Sequence, residues 1–118
     1  MELLTTTIKS IGSQAHMFEE ENMLILFGDN APGDLKDFCY IIDVKPLASG
    51  IETGMTLSID NQAYTITAVG DVVTKNLSDL GHITIKFDGK TAADLPGTLH
   101  VKGAAFPVIE SGATLTIS

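Results

Sequence analysis

Turn-forming residues recur along this 118-residue chain every eight to twelve positions. The segments between them are short and rich in β-branched residues, the spacing of an all-β domain. Thr5–Lys9 opens as a strand that ends before Gly12. Met23–Phe27 is an unbroken apolar run stopped by Gly28-Asp29-Asn30, and 38–44 is a second, bounded by Pro46. Met55, Leu57 and Ile59 alternate onto one face, and Asp60-Asn61 turns the chain into Ala63–Val69, the clearest hairpin signal. His82–Phe87 alternates strictly and is closed by Asp88-Gly89; Leu99–Val101 and Thr114–Ile117 supply the last two strands.

Helical signal is weak. Residues 31–37 and 74–80 each have room for one turn, the second ending at Gly81, where a left-handed residue is cheap. Eight candidate strands without room for βαβ crossovers predict an all-β fold, a small antiparallel barrel or sandwich with one or two short helical turns. A chain of this length buries enough surface for a core without staples, and it reads as one domain spanning 1–118. The apolar runs Met23–Phe27 and 38–42 exceed what one sheet face hides, so either they are central or they pair across a homodimer contact.

Charge narrows the function. Seven lysines, no arginine and fifteen acidic residues give a formal net charge of −8. Such a surface repels phosphate backbones and lacks the guanidinium forks that read guanine edges, which argues against nucleic acid and for a basic or mixed protein partner. The lone Cys39 excludes an internal disulfide and fits a reducing, cytoplasmic compartment. The amino-terminal residues lack the layout of a secretory signal, and no apolar run approaches a membrane span.

Several catalytic signatures fail. Gly89-Lys90-Thr91 resembles the end of a phosphate-binding loop, but Thr84 stands where its first glycine belongs. No serine lies in a Gly-x-Ser-x-Gly turn. Cys39 sits in an apolar stretch without a cation beside it to favour the thiolate. Of the three histidines, His16 adjoins the acidic run Glu19-Glu20-Glu21 and reads as an exposed loop residue. Strand alternation sets His82 on one face with Thr84 and Lys86, opposite Ile83, Ile85 and Phe87, and sets His100 beside Thr98 and Lys102. No two histidines have the spacing of a local metal-ligand pair.

A neutral imidazole is a good nucleophile toward phosphoryl groups. An ammonium nearby would offset charge on the incoming group, and a threonine hydroxyl would donate to its oxygen. His82, Thr84, Lys86 and His100 are therefore the candidate catalytic residues. Equally, His, Thr and Lys are ordinary occupants of the wet face of a strand.

Residues 31–41 (APGDLKDFCYI), 67–89 (TAVGDVVTKNLSDLGHITIKFDG) and 95–101 (LPGTLHV) occur in an order and spacing that resembles the glucitol/sorbitol-specific IIA component of the bacterial phosphoenolpyruvate-dependent sugar phosphotransferase system. The most specific piece is Leu-Gly-His-x-Thr-x-x-Phe-Asp-Gly, residues 80–89. The resemblance covers about residues 5–117 and implies a cytosolic phosphocarrier. Such a protein takes a phosphoryl group from the histidine phosphocarrier HPr onto a histidine. It passes the group to the IIB part of a sorbitol permease, associating with the membrane only through its partners. No metal or nucleotide is implied. The pattern also implies a phosphoacceptor histidine directly after Cys-Tyr-Ile, where this chain has Ile42 and then Asp43. Two alternatives follow: His82 carries the phosphoryl group, or the chain is a non-phosphorylatable regulatory or binding barrel.

Overall fold

The computed structural model describes residues 2–118. Eight strands form it: β1 Leu4–Ile11, β2 Met23–Phe27, β3 Tyr40–Ile42, β4 Thr56–Ile59, β5 Gln62–Val69, β6 Ile83–Lys86, β7 Thr98–Lys102 and β8 Thr114–Ile117. They close into a barrel in the order β1-β3-β2-β6-β7-β5-β4-β8. Two short helices, α1 Gly33–Lys36 and α2 Val73–Leu80, and a 3₁₀ segment over Ala15–Glu21 complete it. No helix among the described residues is long and apolar enough to cross a membrane.

The barrel is mixed rather than antiparallel, which corrects the expectation. β2 runs parallel to β3, with Phe27 opposite Ile41, and β6 runs parallel to β7, with Thr84 opposite Thr98. Neither crossover needs a long helix: α1 with its flanking turns makes the first, and an irregular strap over residues 87–97 makes the second. The other six pairings are antiparallel. The 60–61 turn joins β4 to β5 as anticipated, with Asp60 at φ 53° and its carboxylate accepting from the Thr114 N–H at 3.0 Å.

Alternation decides what fills the barrel. Ile8, Leu24, Leu26, Ile42, Leu57, Ile59, Ile66, Ile83, Ile85, Leu99, Val101, Leu115 and Ile117 are buried in one cluster, and period-2 patterning points them all inward. α2 adds Val73 and Leu77 to the same cluster. It ends at Gly81, whose φ of 69° is the left-handed conformation expected there. The all-apolar run of β2 has a different cause from that of a purely central strand. Its outward residues Ile25 and Phe27 join Ala31, Cys39 and Ile41 in a second, external cluster. The predicted 38–44 strand shrinks to Tyr40–Ile42 because Phe38 and Cys39 still belong to the turn that ends α1, their N–H groups bonding Leu35 and Lys36 carbonyls.

An apolar basin around His82

Where α2 gives way to β6, the chain passes Gly28. The Gly28 N–H donates to the Leu80 carbonyl at 2.9 Å, and a β-carbon on Gly28 would collide with that carbonyl and with the Val44 side chain. This close approach sets His82 alongside the end of β2. The His82 imidazole lies almost parallel to the Phe27 ring, centroids 4.2 Å apart and planes 23° from coincidence. Its Nδ1 is 3.0 Å from the Leu26 carbonyl oxygen. A carbonyl can only accept, so Nδ1 carries a proton, and in the neutral imidazole Nε2 is the nitrogen left with a lone pair.

The ring forms part of the wall of a basin of about 440 Å³ shared with Phe18, Ile25, Phe27, Leu35, Phe38, Cys39 and Thr84. Its lining is mostly apolar, and its flanks are acidic. Phe18 is followed by the exposed run Glu19-Glu20-Glu21, and Leu35 and Phe38 lie among the exposed Asp34 and Asp37, with Lys36 the cation of that stretch. Burial pushes the Cys39 thiol pKa up, so it stays neutral.

Thr84 stands two residues along β6 from His82, roughly 7 Å away, on the same outer face. Lys86 shares that face, but four residues of extended chain put its backbone about 13 Å from His82. Its ammonium turns instead to Asp94, 3.6 Å away. The structure therefore joins His82 with Thr84 and leaves Lys86 outside the basin.

His100 also points outward, between the inward Leu99 and Val101, but its face is not wet. Its relative exposure is 0%. The strap folds over it: His100 Nδ1–H donates to the Asp88 carboxylate at 2.8 Å, and the Asp94 N–H reaches Nε2 at 3.4 Å. Burial works to raise the Asp88 pKa, but hydrogen bonds from His100 and from the Lys90 N–H outweigh it and hold it below the usual carboxylate value. His100 thus presents no free nitrogen to a docking molecule. His16 is exposed, as expected, though on the 3₁₀ segment, with Nδ1 3.2 Å from Glu19 Oε1 and 3.4 Å from the Tyr40 hydroxyl. Burial and the Glu19 charge push the Tyr40 pKa up to about 12.

Ile42 lies 1% exposed inside the barrel, and Asp43, next along, has its carboxylate 3.3 Å from the Lys9 ammonium, which Asp29 also binds. Among the described residues no group of three or more His, Cys, Asp or Glu side chains gathers as a metal site. Pattern reasoning missed Phe27, Phe18, Leu35 and Phe38 as site residues. The signal for Phe27 was present: an apolar residue at an outward position of β2 must meet a second apolar surface.

A family model described as the PTS system glucitol/sorbitol-specific IIA component matches residues 3–116. The chain is 40% identical over 110 residues to proteins of Shigella flexneri and Escherichia coli (strain K12), each named PTS system glucitol/sorbitol-specific EIIA component. Those matches span 93% of this chain and 89% of theirs. The crystal structure of the PTS system IIA component from Enterococcus faecalis V583 superposes with a TM-score of 0.85 at 30% identity, over 95% of this chain and 97% of that one.

Proposed function

Because the chain belongs to the glucitol/sorbitol-specific IIA family of the sugar phosphotransferase system, and is therefore a phosphoryl-transfer component of that system, we propose that His82 carries the phosphoryl group. The donor is HPr and the acceptor the IIB component of the permease. The supporting observation is the Leu26 carbonyl 3.0 Å from His82 Nδ1, which leaves Nε2 as the nitrogen for attack, on a ring that lines the apolar basin. Nε2 attacks phosphorus as the donor's N–P bond breaks, and the electron pair of that bond leaves with the donor imidazole. The reverse bond exchange passes the group to IIB. Thr84 supplies a hydroxyl to a phosphoryl oxygen. The apolar walls offer water no hydrogen-bonding partner beside the phosphoramidate.

Acidic flanks and an apolar floor suit a partner surface that is basic around an apolar knob. Sugar is not part of the site, since a phosphocarrier hands its cargo to a protein. The expected outcome is a single phosphohistidine at His82 after incubation with phosphoenolpyruvate, enzyme I and HPr. His82→Gln should accept no phosphoryl group while keeping the wild-type fold by circular dichroism. Ile42 keeps a second reading in view, a regulatory barrel without a phosphoacceptor. Mass spectrometry that finds no acid-labile phosphate on any histidine would establish it.

A further inference from the structure

Resting on the assignment of His82, we propose that Phe27 is a positioning residue for both transfer steps. In this role its ring face stabilises the imidazolium that His82 becomes when Nε2 is phosphorylated, while the Leu26 carbonyl keeps the proton on Nδ1.

The argument begins with charge. In the form of the ring that can attack, hydrogen sits on Nδ1 beside the Leu26 carbonyl and the lone pair on Nε2. When that lone pair forms the N–P bond, no proton leaves, so the ring becomes a cation. Two features already in place meet that cation. The Leu26 carbonyl, 3.0 Å from Nδ1, accepts a hydrogen bond that strengthens as the donor becomes charged. The Phe27 ring, stacked at 4.2 Å, turns its electron-rich face to the imidazolium, within the range where aromatic faces attract cations. Phe27 is 8% exposed, and rings 4.2 Å apart leave no room for water between them, although His82 itself is half-buried.

The same arrangement serves the second step. With Nδ1 protonated, breaking the P–Nε2 bond returns the electron pair to Nε2 and releases a neutral imidazole. Without that proton the leaving group would be an imidazolate, a far stronger base and a poorer leaving group. Keeping the proton therefore keeps the phosphoryl group transferable. Of the other residues lining the basin, only Cys39 titrates, and burial holds its thiol neutral. Phe27, stacked on the ring, and the Leu26 carbonyl, bonded to Nδ1, favour its cationic form, as do the acidic flanks at 19–21, 34 and 37.

The test phosphorylates the wild type, Phe27→Leu and Phe27→Tyr with phosphoenolpyruvate, enzyme I and HPr, then follows the His82 ring nitrogens by ¹⁵N and ³¹P NMR against pH. Phosphorus should lie on Nε2 in the wild type. In Phe27→Leu the phosphorylated ring should lose its Nδ1 proton at a proton concentration about threefold to thirtyfold higher than in the wild type, with onward transfer at pH 8 slowed to match. Phe27→Tyr keeps an aromatic face and should restore both properties, which packing alone would not predict for a leucine–tyrosine contrast. Phosphorus on Nδ1, or a Phe27→Leu titration superimposing on the wild type, overturns the inference and leaves His82 as carrier. Phosphate on another residue, or on none, overturns the carrier assignment and this inference with it.

Discussion

Protonating Asp88 removes the charge that holds His100 in place beneath the strap. Because the folded state holds this carboxyl below its ordinary value, Asp88 adds stability at neutral pH. That stability is complete above the usual carboxylate range, near 4, and is lost as pH falls through the lowered folded value. Urea midpoints measured from pH 7 down to 2 should show Asp88→Asn less stable than wild type at neutral pH, with the gap closing in acid. A charge-assisted bond to a buried imidazole is worth about 1.5–3 kcal/mol, which sets the scale of the neutral-pH difference. His82 and His100 also show what alternation can and cannot reveal. Both were placed on outward faces, and both point outward. Whether the outward face meets solvent depended on where residues 88–97 lie, and those residues carry no periodic signal to say. The Nδ1 partner of His82 is a backbone carbonyl fifty-six residues earlier in the chain, which no side-chain pattern encodes.

At the level of elements, α2 does more than connect. Leu77 is 1% exposed within the barrel's core cluster, and the helix ends one turn later at the Gly81 turn that delivers His82. Leu77→Ala should cost about 2–5 kcal/mol in chemical denaturation. Phosphoryl acceptance should fall as well, because the loosened helix end carries the Leu80 carbonyl that Gly28 holds. Strand positions were readable because each strand alternates or is bounded by glycine and Asp-Asn or Asp-Gly pairs; β2 and β8 match their predicted bounds. Strand direction was not readable. Parallel pairs were excluded on the premise that crossovers need long helices, yet the four-residue α1 and a strap without regular structure suffice in a barrel this small. The 3₁₀ segment at 15–21 escaped notice because helices of this type are held by short-range bonds and leave no hydrophobic stripe.

For the whole molecule, closure pairs every strand on both sides, the apolar runs around β2 and β3 included. Those runs are divided between the barrel interior and the basin. The net charge of −8 then acts at long range on whatever approaches. Phosphoryl transfer from HPr should slow several-fold or more between 20 and 500 mM salt in stopped-flow or quench measurements, with the fall in association rate and not in the chemical step. A rate independent of salt would remove the electrostatic part of the docking argument. Closure has one more result. β1 and β8 lie side by side, with the Leu3 N–H donating to the Ile117 carbonyl at 2.7 Å. Joining the two through a short glycine tether would turn the backbone into a ring. That ring opens again without loss of any pairing at an exposed connection such as residues 103–105. The order in which ribosomes write the strands is therefore separable from the shape they make, and a circularly permuted gene keeps His82 on its shelf.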